Sequence, residues 1–131
     1  MVPNENNFTI PLSQAKEWTA NWRKNNPNLS KAFLLPVEDL IGCLMEMGII
    51  TTDSKGNTTI KFKEEDKVRT YLGIDKDGEE KLIMVGTKNE GGTYTDIIRE
   101  ETAVEKSGGN SGIYNYSKPC PPECDPKSPL N

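Results

Sequence analysis

Histidine is absent from the 131 residues. Its absence excludes Ser-His-Asp and Cys-His catalysis, imidazole acid–base chemistry, haem ligation by His and most zinc enzymes. Arginine is scarce. Arg23, Arg69 and Arg99 are the only ones among 16 basic residues, which face 20 acidic ones for a net charge of −4. Phosphate contacts supply most nucleic-acid affinity, and Arg is the side chain best shaped to make them. A weakly acidic, Arg-poor chain is therefore expected to bind neither nucleic acid nor an anionic membrane surface. Long apolar runs are also missing: none exceeds about six residues, against the ~20 that a membrane span needs. Hydrophobic residues make up 34% of the chain, below the ~45–50% of an average that also counts Gly. A modest core with long polar loops is expected. No apolar segment follows Met1, and the first basic residue is Lys16. No secretory signal is read there, and a cytoplasmic protein is expected.

The length suits one domain. Ser13 is a plausible N-cap for a helix running to about Lys24, with Ala15, Trp18 and Trp22 on one face. Asn25-Asn26-Pro27-Asn28 ends it. Lys31 to Leu35 reads as a short buried strand. Pro36 suits the first turn of a second helix, whose stripe of Val37, Leu40, Ile41, Leu44 and Met45 should face the core. Gly48 stops it. Ile49–Thr52 and Thr58–Phe62 could be two short strands around Lys55-Gly56-Asn57. The strongest β signal is the pair Val68–Ile74 and Lys81–Thr87, joined through Asp77-Gly78. Thr93 to Thr102 could be strand or helix.

These elements predict an α+β fold: a small antiparallel sheet with two helices packed on one face and an extended Pro-rich C-terminal arm. Residues 1–106 form the expected domain, 107–112 a Gly/Ser linker, and 113–131 the arm. The last 13 residues hold five of the nine prolines, which excludes an ordinary helix or central strand there. The predicted core cluster is Trp18, Trp22, Phe33, Leu35, Leu40, Ile41, Leu44, Leu72, Ile83 and Val85.

Candidate chemistry is sparse. Cys120 and Cys124, spaced Cys-x3-Cys, are the most suggestive pair. A zinc site needs four ligands, and only Cys43 could add a third thiolate, so no metal site and no cofactor are expected. Two reduced thiols in an extended arm are the favoured reading, ahead of a small-loop disulfide. Asp75-x-Asp77-Gly78 fails as a calcium loop, because Met84 stands where the closing Glu belongs. The acid pairs Glu64-Glu65, Glu79-Glu80 and Glu100-Glu101 read as solvated charges. Tyr114, Tyr116, Trp18 and Trp22 are the candidate interaction residues, since Trp and Tyr carry large contact area.

The C-terminal stretch Ile113-Tyr114-Asn115-Tyr116-Ser117-Lys118-Pro119-Cys120-Pro121-Pro122-Glu123-Cys124-Asp125-Pro126-Lys127-Ser128-Pro129-Leu130 resembles the end of a group of small bacterial proteins. Those proteins close on an aromatic pair followed by Pro-Cys-Pro-Pro-x-Cys-Asp. The resemblance implies a recurring tail and carries no activity. The expected function is that of a small non-catalytic binding protein, its partner another protein or a second copy engaged through the C-terminal arm. The alternatives are a metal- or redox-responsive module using Cys120 and Cys124, and a histidine-independent enzyme using Asp/Glu acids.

Overall fold

Two loops with the same chemistry organise the strands. In Asp53-Ser54-Lys55-Gly56-Asn57, the Asp53 Oδ1 accepts the N–H of Lys55 and of Asn57, each at 2.9 Å. In Asp75-Lys76-Asp77-Gly78-Glu79, the Asp75 Oδ1 accepts the N–H of Asp77 and of Glu79, again at 2.9 Å. Short Asp side chains bond their own downstream backbone in this way and tighten turns. Gly56 and Gly78 both sit at φ +83°, a conformation that costs Gly least. Each loop closes an antiparallel hairpin: β2 (Ile50–Thr52) on β3 (Thr58–Ile60), and β4 (Val68–Ile74) on β5 (Glu80–Glu90). The hairpin expected around Asp77-Gly78 is present, although Asp75 is the residue that builds its turn.

The computed structural model describes residues 9–99 and 111–131. The remaining elements are α1 (Leu12–Asn25), β1 (Ala32–Leu34), α2 (Val37–Glu46), β6 (Thr93–Asp96), β7 (Ile113–Tyr114) and β8 (Lys118–Cys120). The protein is thus α+β, with antiparallel hairpins. β1 pairs with β8, β2 with β3, and β4, β5, β6 and β7 form a four-stranded sheet. Among the described residues, no helix is long and apolar enough to cross a membrane.

The chain divides into two compact units, Met1–Phe33 with Pro119–Asn131, and Leu34–Lys118. This differs from the expected single domain with an appended arm. The first part of the expected arm takes up strand positions: Ile113 and Tyr114 pair with Val85 and Met84 of β5, and Lys118–Cys120 form β8, where the Lys31 N–H donates to the Cys120 carbonyl at 2.6 Å. Of the expected linker, 107–110 lie outside the described residues. Ser111 accepts the Arg99 N–H at 2.8 Å, and Gly112, at φ +85°, passes so close to the Ile97 carbonyl that a Cβ would stand 2.8 Å from it. The two helices belong one to each unit.

In the first unit, α1 starts at Leu12, earlier than the Ser13 cap predicts. Pro11 is the N-cap, and its carbonyl accepts the N–H groups of Gln14 and Ala15. Proline supplies the extended φ that a cap needs. The Trp22 indole N–H donates to the Ser30 carbonyl at 2.9 Å. Arg23 donates to the Leu130 carbonyl at 2.6 Å, and Lys31 to Asn131 Oδ1 at 3.2 Å, which ties the C-terminal residues to this unit. No residue of α1 is buried. Trp18 and Trp22, 54% and 39% exposed, therefore leave the predicted core.

In the second unit, β5 is the central strand. β4 lies on one side of it, β6 and β7 pair with it as well, and α2 packs against it. Met84, Val85, Gly86 and Thr87 of β5 are buried in succession. With Cys43 and Ile49 they form the core of this unit. Of the predicted cluster, Val85 is fully buried and Phe33, Leu35, Leu44 and Ile83 are half-buried, whereas Leu40, Ile41 and Leu72 are exposed. The reason is which face of each element turns inward.

Candidate functional site

α2 carries an apolar stripe at Val37, Leu40, Ile41, Leu44 and Met45, and amphipathic helices normally bury such a stripe. Here the helix is turned the other way. The buried residues are Asp39 and Cys43, followed one turn later by Glu46, whose side chain is 10% exposed. Close approach explains the inversion. A Cβ on Gly42 would stand 2.5 Å from the Tyr114 ring, and one on Gly86 would stand 2.6 Å from Met47 Cγ and 3.2 Å from the Cys43 carbonyl. In the seam between α2 and the sheet, Gly42 and Gly86 leave the space that the Tyr114 ring and the Met47 side chain fill, so a side chain at either glycine has no room.

The polar groups in the seam are satisfied. Asp39 Oδ2 accepts the Tyr116 N–H at 3.3 Å. Arg99 donates to Glu46 Oε2 at 2.7 Å. Ser117, fully buried, accepts the Leu82 N–H on its Oγ at 2.8 Å. Burial, joined by the charges of Asp39 and Glu46, pushes the Cys43 thiol up to about 11, so this cysteine is a packing residue and a poor nucleophile.

The outer face of α2 is open. Val37 is 64% and Met45 55% exposed, and Leu40 and Ile41 are more than two-fifths exposed. Glu38, Asp39 and Glu46 are its only charged residues, and it has no basic one. The sheet adds a second apolar row. Leu72 and Ile74 of β4 are 71% and 75% exposed, on the same side of their strand as Val68 and Thr70. The opposite side of β4 is polar and tied down: Arg69 donates to Asp96 Oδ1 and Tyr71 to Asp96 Oδ2, both at 2.5 Å. The Asp96 carboxylate raises the Tyr71 phenol above its ordinary value, so Tyr71 is a proton donor to a neighbour and no general base.

The residues singled out from sequence are divided between the two compact units. Cys120 and Cys124 form a disulfide with Cα atoms 4.8 Å apart, which replaces the favoured reading of two reduced thiols. Oxidised sulfurs do not ligate a metal as thiolates do. Cys43 is free and lies in the other compact unit. Among the described residues no group of three or more His, Cys, Asp or Glu is placed to hold a metal ion. Trp18 and Trp22 belong to one unit, Tyr114 and Tyr116 to the other. Tyr114 is packed on Gly42, while Tyr116 is 72% exposed. Glu100-Glu101 lies outside the described residues.

Asp53 and Asp75 are held below the ordinary carboxylate range, chiefly by the N–H groups of Asn57 and Glu79 respectively. A general acid at neutral pH needs the opposite shift. An open groove of about 300 Å³ runs past Met47, Ile49, Phe62, Lys61, Lys63 and Asp66, and the Asp66 carboxylate is engaged by the Lys63 N–H at 2.7 Å.

Sequence reasoning missed the outward face of α2 because the stripe itself signals burial. The signals that could have found it are Gly42 inside a helix and Gly86 inside a strand, both marks of close backbone approach. No protein-family model, no curated protein and no solved structure matches the chain.

Proposed function

We propose that the chain is a non-catalytic binding protein whose contact surface is the outer face of α2. The single observation that carries this reading is the inverted helix: Val37, Leu40, Ile41 and Met45 face solvent while Asp39 and Cys43 are buried. Contiguous exposed apolar residues on a small protein mark interaction sites. The absence of basic residues from α2 selects the partner's chemistry, an apolar strip rimmed by Lys or Arg. A photo-crosslinking residue at Ile41 should give one dominant protein adduct in cells. With that partner purified, Leu40→Glu and Met45→Glu should each weaken binding by more than about tenfold, as expected at the centre of a contact. Binding unchanged by both substitutions would reject the reading.

A redox-responsive role has one observation in its favour, the Cys120–Cys124 disulfide. Disulfides persist in oxidising compartments, so the bond supports such a location over the cytoplasm expected from the N-terminus. Thiol counting on freshly lysed cells tests this: one free thiol per chain supports an oxidised pair, three a reduced one.

A further inference from the structure

We infer that the free edge of β4 pairs with the same edge of a second copy of this chain, antiparallel and centred on Tyr71. This surface is separate from the outer face of α2, and the inference does not depend on that face having a partner.

The first observation is which backbone groups face outward. In an antiparallel ladder the N–H and C=O of one residue point to the same side, and the side alternates along the strand. The Gly86 carbonyl accepts the Ile97 N–H at 2.9 Å, and the Leu82 N–H reaches Ser117. Both therefore point away from β4. Their partners across the ladder are Val68 and Leu72, which must sit in non-hydrogen-bonded positions and turn their own N–H and C=O away from β5. Thr70 and Ile74 share that parity. Among the described residues, β4 has β5 as its only strand neighbour. A seven-residue edge thus presents a row of N–H and C=O groups, with no proline, no bulge and a single charged side chain, Arg69, which is already paired with Asp96. Natural edges of this length are normally blunted or covered.

The second observation is that the edge is complementary to itself. The only register that pairs the whole strand antiparallel to its copy places Tyr71 opposite Tyr71. Leu72 then faces Thr70 of the second copy, and Ile74 faces Val68. These are the residues whose backbone groups point outward, so the hydrogen bonds close. The same pairs bring the exposed side chains of Leu72 and Ile74 against apolar or Thr neighbours, the cross-strand pairs that stabilise sheets. Arg69 faces Gly73, so no like charges meet. The flanking residues continue the match: Lys67 stands opposite Asp75 of the second copy, and Asp66 opposite Lys76. A foreign strand would need this pattern built into it; the chain already carries it.

The test is sedimentation of the full chain from low micromolar to near-millimolar concentration. A monomer–dimer equilibrium is expected. Thr70→Pro and Leu72→Lys both alter outward-facing positions and spare the bonds to β5, so each should give a monomer with a wild-type circular dichroism spectrum. Tyr71→Cys should cross-link to its copy on mild oxidation, because a non-hydrogen-bonded pair brings the two Cα atoms within disulfide reach. Thr70→Cys, offset from itself in this register, should cross-link far less. A chain that stays monomeric throughout, or a dimer that survives both Thr70→Pro and Leu72→Lys, would overturn the inference. Crosslinking to a foreign partner at Ile41 is read separately: its persistence in a monomeric chain removes the dimer and leaves the binding role standing, while its loss with dimerisation intact does the reverse.

Discussion

β4 and β5 are two strands of one hairpin, in register from Val68–Gly86 to Ile74–Glu80, and they have similar compositions of Val, Ile, Leu and Thr. Yet β5 buries four consecutive residues and β4 buries none. The difference lies in their neighbours. β5 has strands along both edges and α2 against it; among the described residues, β4 has one edge occupied and its Leu72–Ile74 row uncovered. β-propensity describes fitness for a pleated surface and leaves open which surface is covered. α2 teaches the same lesson on a helix, where the covered side is the one small enough to fit.

That contrast can be broken at several levels. Removing residues 113–131 takes away β7, opens the edge of β5 at Met84 and Val85 and uncovers Gly42; it should lower the melting temperature more than any single substitution. Met84→Ala should cost ~2–5 kcal/mol in urea unfolding, the usual range for a buried Met. Gly86→Ala should cost about 1–3 kcal/mol by overpacking the seam against Met47 and the Cys43 carbonyl. Acid sharpens the comparison at the turn joining the two strands. Asp75 has a folded pKa below its ordinary value, so its contribution is present above the unfolded pKa of ~4 and is lost as pH falls through the lower folded value. Asp75→Asn should therefore flatten the acid limb of the stability–pH curve below pH ~4. Last, Leu72→Ala, measured on monomer, should change stability by less than about 0.5 kcal/mol. A loss near that of Met84→Ala would mean that the β4 row is core after all.

Much of the secondary structure was legible in the sequence. The bounds of β4 followed from alternation and the Asp/Gly turn, and those of α2 from Pro36 and Gly48. The α+β class followed from the order of elements. Orientation was not legible. The apolar stripe of α2 obeys the helical period wherever it faces, and only the contacts of Gly42 with Tyr114 and Gly86 with Met47 decide the matter. Those contacts join residues far apart in the chain, beyond the reach of any local pattern. The C-terminal prolines spoke correctly against helix, but Tyr114 and Ser117 dock through backbone pairing and one buried hydroxyl, neither of which composition records. The Cys-x3-Cys spacing permitted the disulfide without requiring it.

Cys43 gives the molecule a built-in clock. Its neighbours in kind are locked in a disulfide, it is wholly buried, and its thiol is pushed up to about 11. An alkylating reagent at neutral pH can therefore label the native chain only during moments when α2 lifts from the sheet. The labelling rate, compared with that of the unfolded chain, reads the free energy of that opening directly. Because Gly42, Tyr114 and Met47 flank the same seam, one thiol reports on the stability of the contact that holds α2 inverted.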